Sequence, residues 1–97
     1  MKPKERVVYI GGVQYKVLGV DKIKGPKVPN RFILGQFNPA ARTVKYRNRL
    51  GSATNVTICH ELLHAISHEM DLIMEEDIVD IISRELVGTM TQLGVIK

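Results

Sequence analysis

The segment Thr57-Ile58-Cys59-His60-Glu61-Leu62-Leu63-His64 contains the pattern His-Glu-x-x-His. On a helix, residues four apart lie one turn apart on the same face, so the imidazoles of His60 and His64 can bind one zinc ion. Glu61 lies about 100° round the helix, where it reaches a water on the metal and not the metal itself. A metal lowers the pKa of such a water and polarises a carbonyl, while the glutamate takes and returns the proton. Together these are the parts of a hydrolytic centre. Composition makes the pattern rare: with 3 His and 6 Glu in 97 residues, random placement yields it roughly 0.5% of the time. The plainer alternative is two exposed helical histidines that hold nothing.

A catalytic zinc takes three protein ligands and keeps one position open. His68 continues the series at i+8. It lies about 12 Å from His60 along a straight helix, too far for both to hold one ion at about 2 Å. It is expected at a cleft rim. Glu75, Glu76 and Asp77 open a second helical segment a short turn later. Asp77 points away from that segment's apolar stripe, Glu75 lies in line with it, and Glu76 lies on its flank. Glu76 also shares a face with Asp80, and a carboxylate so placed can accept the second ring N–H of a ligating histidine. Glu76 is favoured as third ligand, Glu75 is its rival, and Asp80 is the supporting acceptor. All three first-turn acids also fit simple helix-dipole enrichment.

Around this segment the chain changes period. Val7-Val8-Tyr9-Ile10 and Val13-Gln14-Tyr15-Lys16-Val17-Leu18 flank Gly11-Gly12 and predict two strands joined by a tight turn. Asp21 to Asn30 is rich in Lys, Gly and Pro and reads as a loop. Arg31 to Phe37 and Arg42 to Arg47 are further strands, with Val44 and Tyr46 facing inward. From Gly51 the period is helical. Ser52, Thr54 and Asn55 are candidate N-caps, and Cys59, Leu62, Leu63, Ile66 and Met70 form one apolar stripe. A second helix is predicted from about Glu75 to Leu93. Ile78, Val79, Ile82, Leu86, Met90 and Leu93 form its stripe, and Gly94 is its C-terminal cap. Four strands followed by two helices predict an α+β domain over 1–97. In it a small antiparallel sheet (1–50) packs on two helices (51–97).

Composition narrows the classes. Hydrophobic residues are 44% and charged residues 25%, as in a globular domain and unlike a disordered one. No apolar run reaches the roughly 18 residues of a membrane span, and no secretory leader is read at the N-terminus. With a single cysteine the chain reads as intracellular, in the cytoplasm. The net charge of +4 hides an asymmetry: residues 1–50 hold 12 Lys/Arg against Glu5 and Asp21, and residues 51–97 hold 8 acids against Arg84 and Lys97. A basic half can dock nucleic acid or an acidic protein, and it can equally be the solvated face of strands. Cys59 reads as a small core residue. Tyr9, Tyr15 and Tyr46 are strand tyrosines able to stabilise an oxyanion, and Met70, Met74 and Met90 read as core.

The second half resembles a zincin metallopeptidase of the gluzincin type, nearest to the ImmA/IrrE-like proteins of phages and mobile elements. Those carry H-E-x-x-H on one helix and E-x-x-A-[N/D]-x-F-A on the next. Here the second motif reads Glu76-Asp77-Ile78-Val79-Asp80-Ile81-Ile82-Ser83. Val79 stands at the Ala position, Asp80 at the Asn/Asp position, Ile82 at the Phe position, and Ser83 keeps a small residue. The resemblance covers about residues 31–90. It implies a zincin-like fold with His60, His64 and Glu76 as zinc ligands, Glu61 as general base and Asp80 behind the ligands. It also implies a peptide or protein substrate. The other expectation is a zinc-stabilised binding protein without hydrolytic activity, docking nucleic acid or an acidic partner through its basic half.

Overall fold

The computed structural model describes residues 4–23 and 34–96. The elements run β1 (Lys4–Ile10), β2 (Val13–Val20), β3 (Gly35–Asn38), β4 (Thr43–Arg47), α1 (Ala53–Glu69) and α2 (Glu76–Gln92). This is the α+β arrangement expected, strands first and helices after. Most of the predicted loop, residues 24–30, and the first three residues of the predicted third strand lie outside the described residues.

Gly11 and Gly12 have φ of +56° and +80°. A two-residue hairpin turn whose twist matches its strands needs positive φ at both positions, which glycine supplies without steric cost. That turn fixes the antiparallel register of β1 on β2, from Ile10↔Val13 to Lys4↔Gly19. β3 and β4 are also antiparallel.

The sheet as a whole corrects the expectation of an antiparallel one. Its order is β1-β2-β4-β3, and β2 runs parallel to β4. The last strand inserts between the two before it. The register sets Val17 beside Val44, and both are buried. Inserting β4 encloses Val44 from both sides, while the short, glycine-started β3 takes the edge. Alternation within a strand says which residues point inward, not which neighbour the strand chooses.

The core joins Ile10, Tyr15, Val17 and Val44 of the sheet to Ala65 of α1, with Ile58 and Leu62 packed against it. The predicted α1 stripe is therefore rotated. The buried residues are Glu61 and Ala65, while Ile66 and Met70 are exposed. Ala65 lets the helix lie close on the sheet, and that approach draws Glu61 under cover. The α2 stripe is corrected more strongly. Only Val79 and Ser83 are buried, and Ile78, Ile82, Leu86 and Leu93 face outward. Ser52 is the α1 N-cap, without a side-chain capping bond.

Two Schellman turns end the helices. After α1, the Leu72 N–H donates to Ser67 O at 2.8 Å, with Asp71 left-handed at φ +54°. After α2, the Val95 N–H donates to Met90 O at 3.1 Å across Gly94, the residue expected to end this helix. The first turn reverses the chain within six residues and lays α2 back along α1.

Tyr15, Glu69 and Arg42 tie the end of α1 to the sheet. The Tyr15 hydroxyl donates to Glu69 Oε1 at 2.6 Å, and Arg42 Nε donates to the same oxygen at 3.2 Å. These two donors hold the Glu69 carboxyl below its ordinary range, the tyrosine hydrogen bond first and the arginine second. A carboxyl with a lowered folded pKa contributes stability above the unfolded value and loses it as pH falls through the folded one. Glu69→Gln is expected to be less stable than the parent at pH 7. The gap should close below the unfolded carboxyl value of about 4.3. Thermal melts across that range check it; a gap independent of pH would show that the charge contributes nothing.

Among the described residues no helix is long and apolar enough to cross a membrane.

Candidate metal centre

The His60/His64 face of α1 turns toward the start of α2, and side chains from both helices converge there. His60 Nε2 and His64 Nε2 are 3.2 Å apart. Glu76 reaches both: its Oε1 is 2.6 Å from His60 Nε2, and its Oε2 is 3.0 Å from His64 Nε2. Asp80 Oδ1 lies 2.9 Å from His60 Nδ1. Of the three acids at the start of α2, Glu76 is the one that meets the histidines. Glu75 is the extended N-cap residue, exposed to solvent, and Asp77 is exposed as well.

The protonation pattern gives this cluster its chemistry. A neutral imidazole carries one N–H and one lone pair. With the His60 Nδ1–H donated to Asp80, the Nε2 lone pair faces a carboxylate oxygen at 2.6 Å. Two acceptors at that distance repel unless a proton or a cation sits between them. A metal holding nitrogen and oxygen ligands at about 2.0–2.2 Å in a tetrahedral shell separates those ligands by roughly 3.3 Å. The His60–His64 and His64–Glu76 distances, 3.2 and 3.0 Å, approach that spacing, while His60–Glu76 at 2.6 Å is shorter; as a donor set, two nitrogens and a carboxylate suit a cation. His60, Glu61 and His64 also form a group whose donor atoms all lie within 4.8 Å of one another and that could hold a metal ion.

Glu61 occupies the sheet side of the cluster and is 9% exposed. Burial raises its carboxyl above the ordinary range; the neighbouring His60 and His64 pull it down, and Glu76 pushes it up. A carboxylate so placed is shifted toward the neutral range in which a general base operates.

Gly35, the first residue of β3, makes this burial feasible. A Cβ there would lie 2.8 Å from Glu61 Cγ and 2.9 Å from Thr57 Cγ2. The edge strand therefore rests its bare backbone on the glutamate. Sequence reading missed this position, although an isolated glycine inside a predicted strand signals a close backbone approach.

The remaining candidates stand apart. His68 is exposed near the end of α1 and stacks edge-on against Phe37 of β3, ring centroids 5.7 Å apart, one turn beyond His64. Tyr15 has its hydroxyl committed to Glu69, the Tyr46 hydroxyl lies against Gly19, and Tyr9 is exposed. Cys59 is half-buried, and its thiol pKa is raised by that burial, with Ser83 as a hydrogen-bonding neighbour opposing the shift. No protein-family model matches the chain, and no curated protein or solved structure matches it at a significant level.

Proposed function

We propose that the chain is a zinc-dependent metallopeptidase in which His60, His64 and Glu76 hold the metal and Glu61 is the general base. The observation that carries the reading is the approach of His60 Nε2, His64 Nε2 and the Glu76 carboxylate to within 2.6–3.2 Å of one another. Two imidazoles and a carboxylate are a donor set of catalytic zinc, which leaves a fourth position open. Zinc supplies a Lewis acid that makes water nucleophilic near neutral pH and polarises a carbonyl.

The protein's own groups supply the rest. Asp80 accepts a hydrogen bond from the His60 Nδ1–H, which fixes the tautomer and turns Nε2 toward the site. Glu61 accepts a proton from the attacking water and passes it to the leaving amine. β3 is the edge strand of the sheet among the described residues, and an extended peptide would add along it as a further strand. Gly35 sets that edge directly beside Glu61.

Metal content of protein purified without an affinity tag or chelator tests the reading. About one zinc per chain is expected, lost in both His60→Ala and Glu76→Ala. Zinc retained at full stoichiometry in Glu76→Ala would remove that residue from the ligand set. A parent that neither carries zinc nor takes it up would overturn the proposal.

A further inference from the structure

Basic residues of the first half gather at one end of the sheet. β2 and β4 run parallel, so they leave the sheet side by side. Their register sets Lys45 beside Leu18 and Arg47 beside Val20, and Lys22 and Arg49 each follow two residues beyond a strand end. Lys4 of β1 reaches the same end, opposite Gly19. These five basic residues stand there with two acids, Glu5 and Asp21. The acids do not cancel them. Glu5 lies 3.9 Å from Lys16, and Asp21 accepts a hydrogen bond from the Asn48 side chain at 3.0 Å. Lys4, Lys22, Lys45 and Arg49 enter no ion pair among the described residues. A positive cluster of this kind attracts polyanions.

The same end holds a cavity of about 380 Å³, lined by Asp21, Arg47, Asn48, Arg49 and Leu50. That is within the range of small-ligand sites. Its wall is anchored. The Asn48 N–H donates to Val20 O at 2.8 Å, and the Asn48 side-chain amide donates to Asp21 Oδ1, so the turn after β4 is tied to the end of β2 through backbone and side chain. The lining combines two guanidinium groups, a carboxylate beside an amide, and one aliphatic side chain. No residue of the metal centre belongs to it.

We propose that this end of the sheet binds a single strand of nucleic acid, with one nucleotide seated in the cavity. Guanidinium groups pair with phosphate oxygens and stack on nucleobase faces. Asp21 selects among polyanions. An acidic peptide would bring its carboxylates against the Asp21 carboxylate. A nucleotide brings a phosphate to the arginines and nucleobase N–H groups to Asp21 and Asn48; carboxylates accept from the cytosine amino group, and side-chain amides pair with adenine. Lys45 and Arg47 lie on one face of β4, about 7 Å apart, and extend the positive charge beyond the cavity to neighbouring phosphates. A duplex is disfavoured, because its nucleobases are stacked and paired and cannot enter the cavity without being extruded.

Fluorescence anisotropy of the full chain with a labelled oligodeoxycytidine of about 15 nucleotides tests the proposal. Four phosphate contacts, by Lys4, Lys22, Lys45 and Arg49, make affinity fall roughly 50-fold between about 50 and 200 mM salt. Arg49→Gly leaves the backbone at ease, since glycine readily adopts the φ of +65° found there. It should weaken binding about 5-fold or more and flatten the salt dependence, as should Lys45→Gln. Arg84→Gln removes the same charge from the exposed side of α2 and should leave binding unchanged. An abasic strand of equal length should bind about 10-fold more weakly, having nothing to stack in the cavity. Absent or salt-independent binding would overturn the proposal, as would an Arg49→Gly variant that binds no more weakly than Arg84→Gln. So would an abasic strand, a duplex or polyglutamate bound as tightly as the oligodeoxycytidine.

Discussion

Glu61→Gln is expected to lower peptide hydrolysis by about 10²–10⁴-fold while leaving zinc content and fold unchanged. The argument begins with space. Gln has the shape of Glu, so it fits beneath Gly35 without disturbing the 2.8 Å approach that a Cβ on that strand would make to Glu61 Cγ. It also leaves His60, His64 and Glu76 untouched. What it removes is a group that can accept a proton. The carboxyl stands above its ordinary range, mainly through burial, with the two histidines opposing and Glu76 reinforcing the shift. An amide has no basicity comparable to a carboxylate's. The assay is turnover of a quenched peptide library by zinc-loaded parent and variant, with metal analysis of both. Hydrolysis retained at the parental rate in Glu61→Gln would sink the assignment of the base. Hydrolysis absent in the zinc-loaded parent would leave a metal-stabilised binding protein.

The parts of the site that the sequence made legible were those set by helical period. His60 and His64 share a face because they are four apart, and Glu76 and Asp80 do so for the same reason. The structure brings all four side chains into contact. His68, set aside by its i, i+8 distance, stands beside Phe37. Local turn chemistry was legible too: Gly11-Gly12 and Gly94 stand at the positive φ values their turns require.

Long-range choices were not legible. Nothing within Thr43–Arg47 tells the chain to insert that strand between β2 and β3, because inward and outward alternation is identical in either place. The burial of Glu61 was hidden for a related reason. Hydrophobicity places α1 with its leucines and isoleucines inward. The close contact is set instead by Ala65 and Gly35, whose lack of bulk carries no hydrophobic signal. On α2 the apolar stripe is visible in the sequence, but of its residues only Val79 is buried. Amphipathicity says that a face seeks cover, not what covers it.

Metal removal should have its largest effect on α2, because so little else holds that helix. Its buried residues are Val79 and Ser83; the Ser83 hydroxyl donates to Val79 O within the helix at 2.6 Å and meets the Cys59 thiol of α1. Val79 lies outside the cluster formed by Ile10, Tyr15, Val17, Val44 and Ala65. Besides these, the helices meet where Glu76 and Asp80 contact His60 and His64. Without a cation, the His60 Nε2 lone pair and the Glu76 carboxylate 2.6 Å away repel unless a proton sits between them. A ligand that binds only the folded state, present at about 1,000 times its dissociation constant, adds roughly 4 kcal/mol. In a domain of this size each kcal/mol moves the melting temperature by about 4–8 °C. Chelation at pH 7.5 is thus expected to lower the melting temperature by some 15–30 °C. Hydrogen exchange in the chelated protein should lose protection first in Glu76–Gln92, while Val13–Val20 and Thr43–Arg47 keep theirs. Glu76→Ala should melt near the chelated parent and respond weakly to added zinc. A melting temperature unchanged by chelation, or uniform loss of protection across sheet and helices, would mean that α2 is held by its packing and not by the ion.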